Sequence, residues 1–158
     1  MNRKPPTTDI TFYRIGKSIG KGAFGKVHLG IHLLTGKYVA IKCINKEIMN
    51  NKETKEKIKR EVHILQQLKH DSVIQLYETF ESKKNVLLVF ELCVGGDLLT
   101  YVRKRRRLKE NVAKYMFKQI LEGLYHCHQN HVIHRDIKLD NILLNSEGDI
   151  KVLLIEDL

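Results

Sequence analysis

The chain has 158 residues, 42% of them apolar and 29% charged, with 28 Lys and Arg against 18 Asp and Glu for a formal net charge of +10. This is a globular composition, which excludes a disordered polymer, and the length suits one well-buried domain or two small lobes. The basic balance favours phosphorylated ligands, nucleic acid or anionic membrane as partners and says nothing about fold.

Residues 1–11, with Pro5-Pro6, read as a polar arm without the apolar core of a secretory signal. From Phe12 the pattern turns β-like. FYRIGKSIG, VHLGIHLL and KYVAIKCI alternate apolar residues with β-branched enrichment and predict three antiparallel strands, the last two joined at Thr35-Gly36-Lys37. Between the first two lies GKGAFGKV, with Gly20, Gly22, Gly25 and Val27. Glycines so spaced let a hairpin approach a polyphosphate and offer it backbone N–H groups. A dinucleotide fold needs a helix after the glycines, whereas a strand pattern follows here, so the hairpin is preferred.

Lys42 sits among aliphatic neighbours in VAIKCI, where a buried charge needs an anionic partner; the plainer alternative is a snorkelling edge-strand lysine. Ile58, Val62, Leu65 and Leu68 then mark a helix, with Glu61 flanking its apolar stripe as a candidate partner for Lys42 or an ordinary surface carboxylate. SVIQLYETF and NVLLVFELCV add two strands. Gly95-Gly96 breaks the pattern, and Asp97 is placed to N-cap a short helix, LLTYV. The five basic residues Arg103–Arg107 allow a nucleic-acid, lipid or calmodulin-type patch. With no interleaved aromatic residue, a solvated helix end is preferred.

Asn111–His128 is the clearest helix, ended by Asn130. His126, His128 and His131 lack the companion ligands of a metal site. After HRDIKLDN, the segments NILL and DIKVLLI predict a hairpin about Asn145–Gly148. Cys43, Cys93 and Cys127 are far apart and form no CxxC pair, so buried thiols in a reducing compartment are expected, in a cytoplasmic or nuclear protein. The longest apolar stretch, Val86–Val94, is too short for a bilayer and is interrupted by Glu91.

The chemistry concentrates in His134–Leu144. Asp136 is suited to accept a proton, Lys138 to neutralise a phosphate oxygen, and Asn141 to hold a metal through its amide oxygen. Phosphoryl transfer to a hydroxyl needs those three services.

In order, the glycine loop, strand lysine, helix glutamate, connector and HRDIKLDN together resemble a eukaryotic-type serine/threonine protein kinase of the calmodulin-dependent and AMP-activated-kinase-like group. The resemblance covers Phe12 to about Val152. It implies an α+β fold: a five-stranded antiparallel N-lobe with one main helix, over residues 12–94, followed by the first part of a mainly helical C-lobe, over residues 95–158. It also implies that Gly20, Lys21, Gly22, Ala23, Phe24, Gly25, Lys26 and Val27 cover the phosphates of ATP, with Lys42 on the α- and β-phosphates and paired to Glu61. Ile19, Val27, Ala40 and Leu143 would sandwich the adenine, beside a gatekeeper Phe90. The backbones of Glu91 and Cys93 would hold its edge and Asp97 the ribose. Asp136 would orient the substrate hydroxyl and accept its proton, Lys138 steady the γ-phosphate, and Asn141 ligate Mg²⁺. Lys138 favours Ser/Thr acceptors, and Asp97 with Asp140 favours protein substrates with basic residues near the acceptor. Arg135 resembles kinases switched by an upstream kinase. Neither nucleic acid nor membrane is an expected partner.

The pattern departs at its end. The Asp-Phe-Gly positions fall on Leu154, Ile155 and Glu156, so the metal-binding aspartate is replaced by leucine and the second Mg²⁺ ligand is missing. A shifted alignment onto Asp157-Leu158 needs three extra residues in a short strand and is not preferred. The activation segment is absent, and the Met116–Ile120–Leu124 face is expected to lack its cover. The expected protein is a C-terminally truncated kinase with impaired catalysis, arising from splicing, frameshift or gene-model error. The alternative is a nucleotide-binding pseudokinase fragment acting as an interaction module.

Overall fold

The computed structural model describes residues 11–22, 25–47 and 52–154. They form two compact units. One comprises residues up to 62 together with 76–92, and the other comprises 63–75 and 93–154.

The first unit is a five-stranded antiparallel sheet. Its strands are β1 (Tyr13–Gly22), β2 (Gly25–His32), β3 (Tyr38–Asn45), β4 (Leu76–Glu81) and β5 (Asn85–Glu91), in the order β1-β2-β3-β5-β4. Helix α1 (Lys52–Gln67) follows β3 and contributes residues to both units. Alternation along each strand sorts the side chains onto two faces. Val39, Ile41, Leu87 and Val89 pack with Tyr13 on one face, joined by Ile15, Cys43 and Phe80. Burial there pushes the Cys43 thiol up to about 11, which keeps it protonated and unreactive. The opposite face carries Ala40 and Lys42, directly paired with Phe90 and Leu88.

In the second unit a short strand, β6 (Gly96–Asp97), leads into α2 (Leu98–Arg105). Helix α3 (Glu110–Gln129) and a 3-10 turn (Leu139–Asn141) precede the hairpin β7 (Ile142–Leu144) and β8 (Ile150–Val152). Asp97 caps α2 as its sequence position suggests, accepting from the Thr100 amide at 2.7 Å and the Thr100 hydroxyl at 2.9 Å. Burial raises the pKa of Asp97, but those bonds and the nearby Arg103 outweigh it and hold the carboxyl below its ordinary value.

The core of this unit joins Leu98 and Met116 to Ile142, Leu144, Ile150 and Val152, with Ile120 and Leu124 packed alongside. Met116, Ile120 and Leu124 are therefore covered by the chain's own hairpin, against the expectation that this face lacks cover. The exposed apolar side chains of α3 are instead Tyr115, Phe117, Leu121 and Tyr125. The four-residue spacing of Phe117, Leu121 and Tyr125 puts those three on a different stripe.

Two further departures concern strand ends. SVIQLYETF is split: Val73 bridges Val152 in parallel, with Val152 N–H donating to Ser72 O at 2.8 Å and Ile74 N–H to Val152 O at 3.0 Å, and β4 begins only at Leu76. The final strand ends at Val152, short of the whole DIKVLLI run, with the Leu153 N–H adding a last rung to Asn141 O at 2.8 Å in the register of the β7–β8 pair.

Asp149 pins the hairpin to α3. Its carboxylate accepts from Tyr115 Oη at 2.9 Å and Gln119 Nε2 at 3.2 Å, while Gln119 Oε1 accepts from Ile150 N–H at 2.6 Å. The Tyr115 and Gln119 bonds hold Asp149 below the ordinary carboxylate range. A depressed folded-state pKa stabilises the fold above the unfolded value, and that stability is lost as pH falls through the folded one. Tyr115→Phe should therefore raise the Asp149 pKa, read by NMR titration of its carboxyl, and start acid unfolding at higher pH.

Gly123 marks the closest approach of α3 to its neighbours. A Cβ there would lie 2.8 Å from Ser72 O and 3.2 Å from the Val152 side chain. Gly123→Ala should cost about 1–3 kcal/mol through forced backbone movement, measured by chemical denaturation, although alanine is the better helix former.

Candidate active site

The site residues fall into two groups, one in each unit. In the sheet unit, β1 and β2 form the hairpin expected of the glycine stretch, with Gly20 opposite Val27, Lys21 opposite Lys26, and Gly22 opposite Gly25. Ala23 and Phe24, which the resemblance also assigns to the phosphates, lie outside the described residues. The register continues Gly20–Val27–Lys42–Leu88 across four strands, and Leu29–Ala40–Phe90 forms the next row on the same face. Gly20, Val27, Ala40, Lys42 and Phe90 are thus gathered on the face opposite the Tyr13 core. Ile19 is exposed and Glu91 half-buried at the end of β5.

The glycines are not equivalent. A Cβ on Gly25 would lie within 2 Å of the Cys43 carbonyl oxygen, so the fold itself requires glycine there. A Cβ on Gly20 would meet only the Val27 side chain at ordinary contact distance, 3.8 Å, so the fold does not require it.

Lys42 is 8% exposed between Val27 and Leu88, which removes the snorkelling edge-strand reading. Glu61 lies in the middle of α1 and is half-buried. Its Oε1 is 3.8 Å from Lys57, one turn earlier, and Oε2 is shielded from solvent.

The second group is one local network. Asn141 is 2% exposed, and its Nδ2 donates to the Asp136 carbonyl and to Asp136 Oδ2, each at 2.9 Å. Lys138 Nζ lies 3.0 Å from the same Oδ2. Asp136, Lys138 and Asn141 therefore meet as the sequence spacing implies, although Asp136 and Lys138 are both exposed. The buried amide fixes the orientation of the exposed carboxylate. With Nδ2 committed to Asp136, Oδ1 is the side-chain atom of Asn141 suited to a hard cation.

Two supports escaped sequence reasoning. His134, 9% exposed, accepts from Asp136 N–H through Nδ1 at 3.2 Å, which puts its proton on Nε2. Arg135 takes φ 66°, turning the backbone so that His134 faces inward and Arg135 outward. A histidine two residues before the aspartate was visible, but its contact needs that left-handed residue, which the sequence does not announce.

Leu143 is half-buried on β7, paired with Asp97 on β6, and Cys93 is half-buried just before β6. Leu154 is half-buried and packs against Leu68, Val73 and Cys127. It is an apolar filler and brings no oxygen. Ile155, Glu156, Asp157 and Leu158 lie outside the described residues. As tested on these donor groups, Asn141 suits Mg²⁺ and Leu154 does not. Among the described residues no three His, Cys, Asp or Glu side chains group as a metal site, and no helix is long and apolar enough to cross a membrane.

Asn141→Ala should destabilise the fold by about 1–3 kcal/mol, because the Asp136 carbonyl loses a buried donor. The measurement is chemical denaturation, with Asn141→Asp as a companion that also places a second carboxylate beside Asp136.

A family model described as the protein kinase domain matches residues 13–154. The chain is 42% identical over 140 residues to the serine/threonine protein kinase OSK3 of Oryza sativa subsp. indica, covering 89% of this chain and 28% of that protein. It is 40% identical over 141 residues to the SNF1-related protein kinase catalytic subunit alpha KIN12 of Arabidopsis thaliana, again covering 89% and 28%. With the human NUAK family SNF1-like kinase 1 the identity is 38% over 140 residues, covering 89% of this chain and 21% of that one. The chain thus spans under a third of the length of these relatives.

Proposed function

Since the chain belongs to the protein kinase family, we propose that its site is built for transferring the γ-phosphoryl group of ATP to Ser or Thr hydroxyls of proteins. We propose also that the 158-residue chain performs this transfer poorly. The observation that carries the first part is the Asp136–Lys138–Asn141 network, in which a buried amide and a lysine hold one carboxylate oxygen in place. Asp136 accepts the proton of the attacking hydroxyl, and its positioning is what catalysis of this kind depends on. Lys138 offsets charge on the transferred phosphoryl group. Lys42, buried on the sheet face with Gly20, Val27 and Ala40, serves the α- and β-phosphates, and Glu61 is its proposed partner. Asp97, Leu143, Glu91 and Cys93 serve the nucleoside.

Bound Mg²⁺ would neutralise the phosphate oxygens, and Asn141 is the residue suited to hold it. The second part of the proposal rests on Leu154. At the aligned position of the metal-binding aspartate there is an apolar side chain seated among Leu68, Val73 and Cys127. Loss of one charge-stabilising contact is commonly worth about 10²–10³ in rate.

A second reading, a nucleotide-binding interaction module, is favoured by the intact sheet face around Lys42. Purified chain with ATP, Mg²⁺ and a basic Ser-containing peptide should transfer no phosphate above a Lys42→Met control. Clear transfer would overturn the impairment. Thermal shift should show stabilisation by ATP that is nearly independent of Mg²⁺ and lost in Lys42→Met. No stabilisation in either condition would overturn nucleotide binding altogether.

A further inference from the structure

The junction of α2 and α3 carries charge that the proposed reaction does not use. Arg103, Lys104 and Arg105 form the last turn of α2, Arg106 its C-cap, and Arg107 and Lys109 the link to α3. A helix C-terminus favours cations, which accounts for one or two of them. Six in seven positions exceeds that need.

The acidic groups nearby do not neutralise the cluster. Glu110 is paired to Lys114 at 2.7 Å, and Asp97, which feels Arg103, is committed to capping α2. Among the described residues none of the six cations makes an ion pair within 4 Å. The guanidinium carbon of Arg105 sits over the Tyr101 ring, 3.7 Å from its centroid, a cation–π contact.

The same segment borders a half-open hollow of about 840 Å³. It is lined by the apolar Tyr101, Leu108 and Val112 and by the basic Arg105, Arg107 and Lys109, with Glu110, already paired to Lys114, as its one acidic member. Its size is that of a site for a few side chains rather than a flat contact.

We propose that this hollow is a docking site for an acidic peptide segment of a partner protein, one with a bulky apolar residue flanked by Asp and Glu. Charge complementarity selects the sign of the partner. The prevalence of arginine, four of the six cations, suits planar bidentate pairing with carboxylates. The apolar lining selects against a purely polyanionic ligand. A nucleic-acid backbone is met by cations spread along a face or groove. Here three of them, Arg105, Arg107 and Lys109, fall within five residues at the edge of a hollow. An anionic membrane surface is met by a long amphipathic face, and α2 has eight residues. The site is independent of ATP and of the Leu154 substitution.

The test is fluorescence anisotropy of a labelled Glu/Asp-rich peptide with a central Leu-Phe pair, titrated with the whole chain without nucleotide. Saturable binding is expected. It should weaken at least ~10-fold in Arg107→Glu/Lys109→Glu, and at least ~10-fold when the peptide's Leu-Phe is replaced by Ser-Ser. Both substituted residues are exposed and their side chains make no hydrogen bond or ion pair among the described residues, while the bond from Ala113 N–H to the Lys109 carbonyl is kept by any residue, so circular dichroism and Tm should be unchanged. Absence of saturable binding, or equal affinity for the Ser-Ser peptide, overturns the proposal. So does tighter binding to single-stranded RNA or to phosphatidylserine vesicles. Because no ATP is present, failure here is separable from failure of the kinase reading.

Discussion

The amide of Asn141 is buried, and a buried amide must find partners or pay for its desolvation. It finds them in the carbonyl and the carboxylate of Asp136, and much of the second unit follows from that choice. To bring Asp136 back to Asn141, the chain closes a short 3-10 turn at Leu139–Asn141, and the strand β7 leaves directly from its end. The backbone carbonyl of Asn141 then accepts from Leu153 N–H, so the two ends of the hairpin meet at the same residue. The exposed Asp136 carboxylate is held in place by a neighbour that is itself buried.

The supports of that hairpin lie far away in sequence. Gln119 and Tyr115 on α3 hold Asp149, the absence of a side chain at Gly123 lets α3 approach Ser72, and Ser72–Ile74 pairs with Val152. The helix, the loop and the hairpin are consequently one mechanical body, with a core of Leu98, Met116, Ile142, Leu144, Ile150 and Val152. Leu154 belongs to a second cluster with Leu68, Val73 and Cys127. Leu154 thus has a packing role in the folded unit whatever its part in the chemistry.

The sheet unit follows a different logic. Two-residue alternation divides β3 into Val39, Ile41 and Cys43 facing one core and Ala40 and Lys42 facing the other side. Unbroken one-to-one pairing from β2 through β3 to β5 then carries that division across the sheet without slippage. Gly20 and Gly25 show two reasons for the same residue type in one hairpin. Close packing on β3 demands Gly25, while at Gly20 the fold leaves room for a side chain.

Periodicity and local spacing settled what depends on neighbours in sequence. They gave the five strands, a helix through Ile58–Leu68 and one over Asn111–His128, which the structure extends to Lys52–Gln67 and Glu110–Gln129, the Asp97 cap, and the Asp136–Lys138–Asn141 cluster, whose members are at most five residues apart. Hydrophobic alternation could not reveal which face of α3 is covered, because Met116–Ile120–Leu124 and Phe117–Leu121–Tyr125 are both apolar at helical spacing. Only the position of the hairpin distinguishes them. Nor could it show that Ser72–Ile74 leaves β4 to pair with Val152, or that Arg105, Arg107 and Lys109 line a hollow together with Tyr101, Leu108 and Val112. Those features depend on where distant segments meet, and the tertiary structure alone decides that.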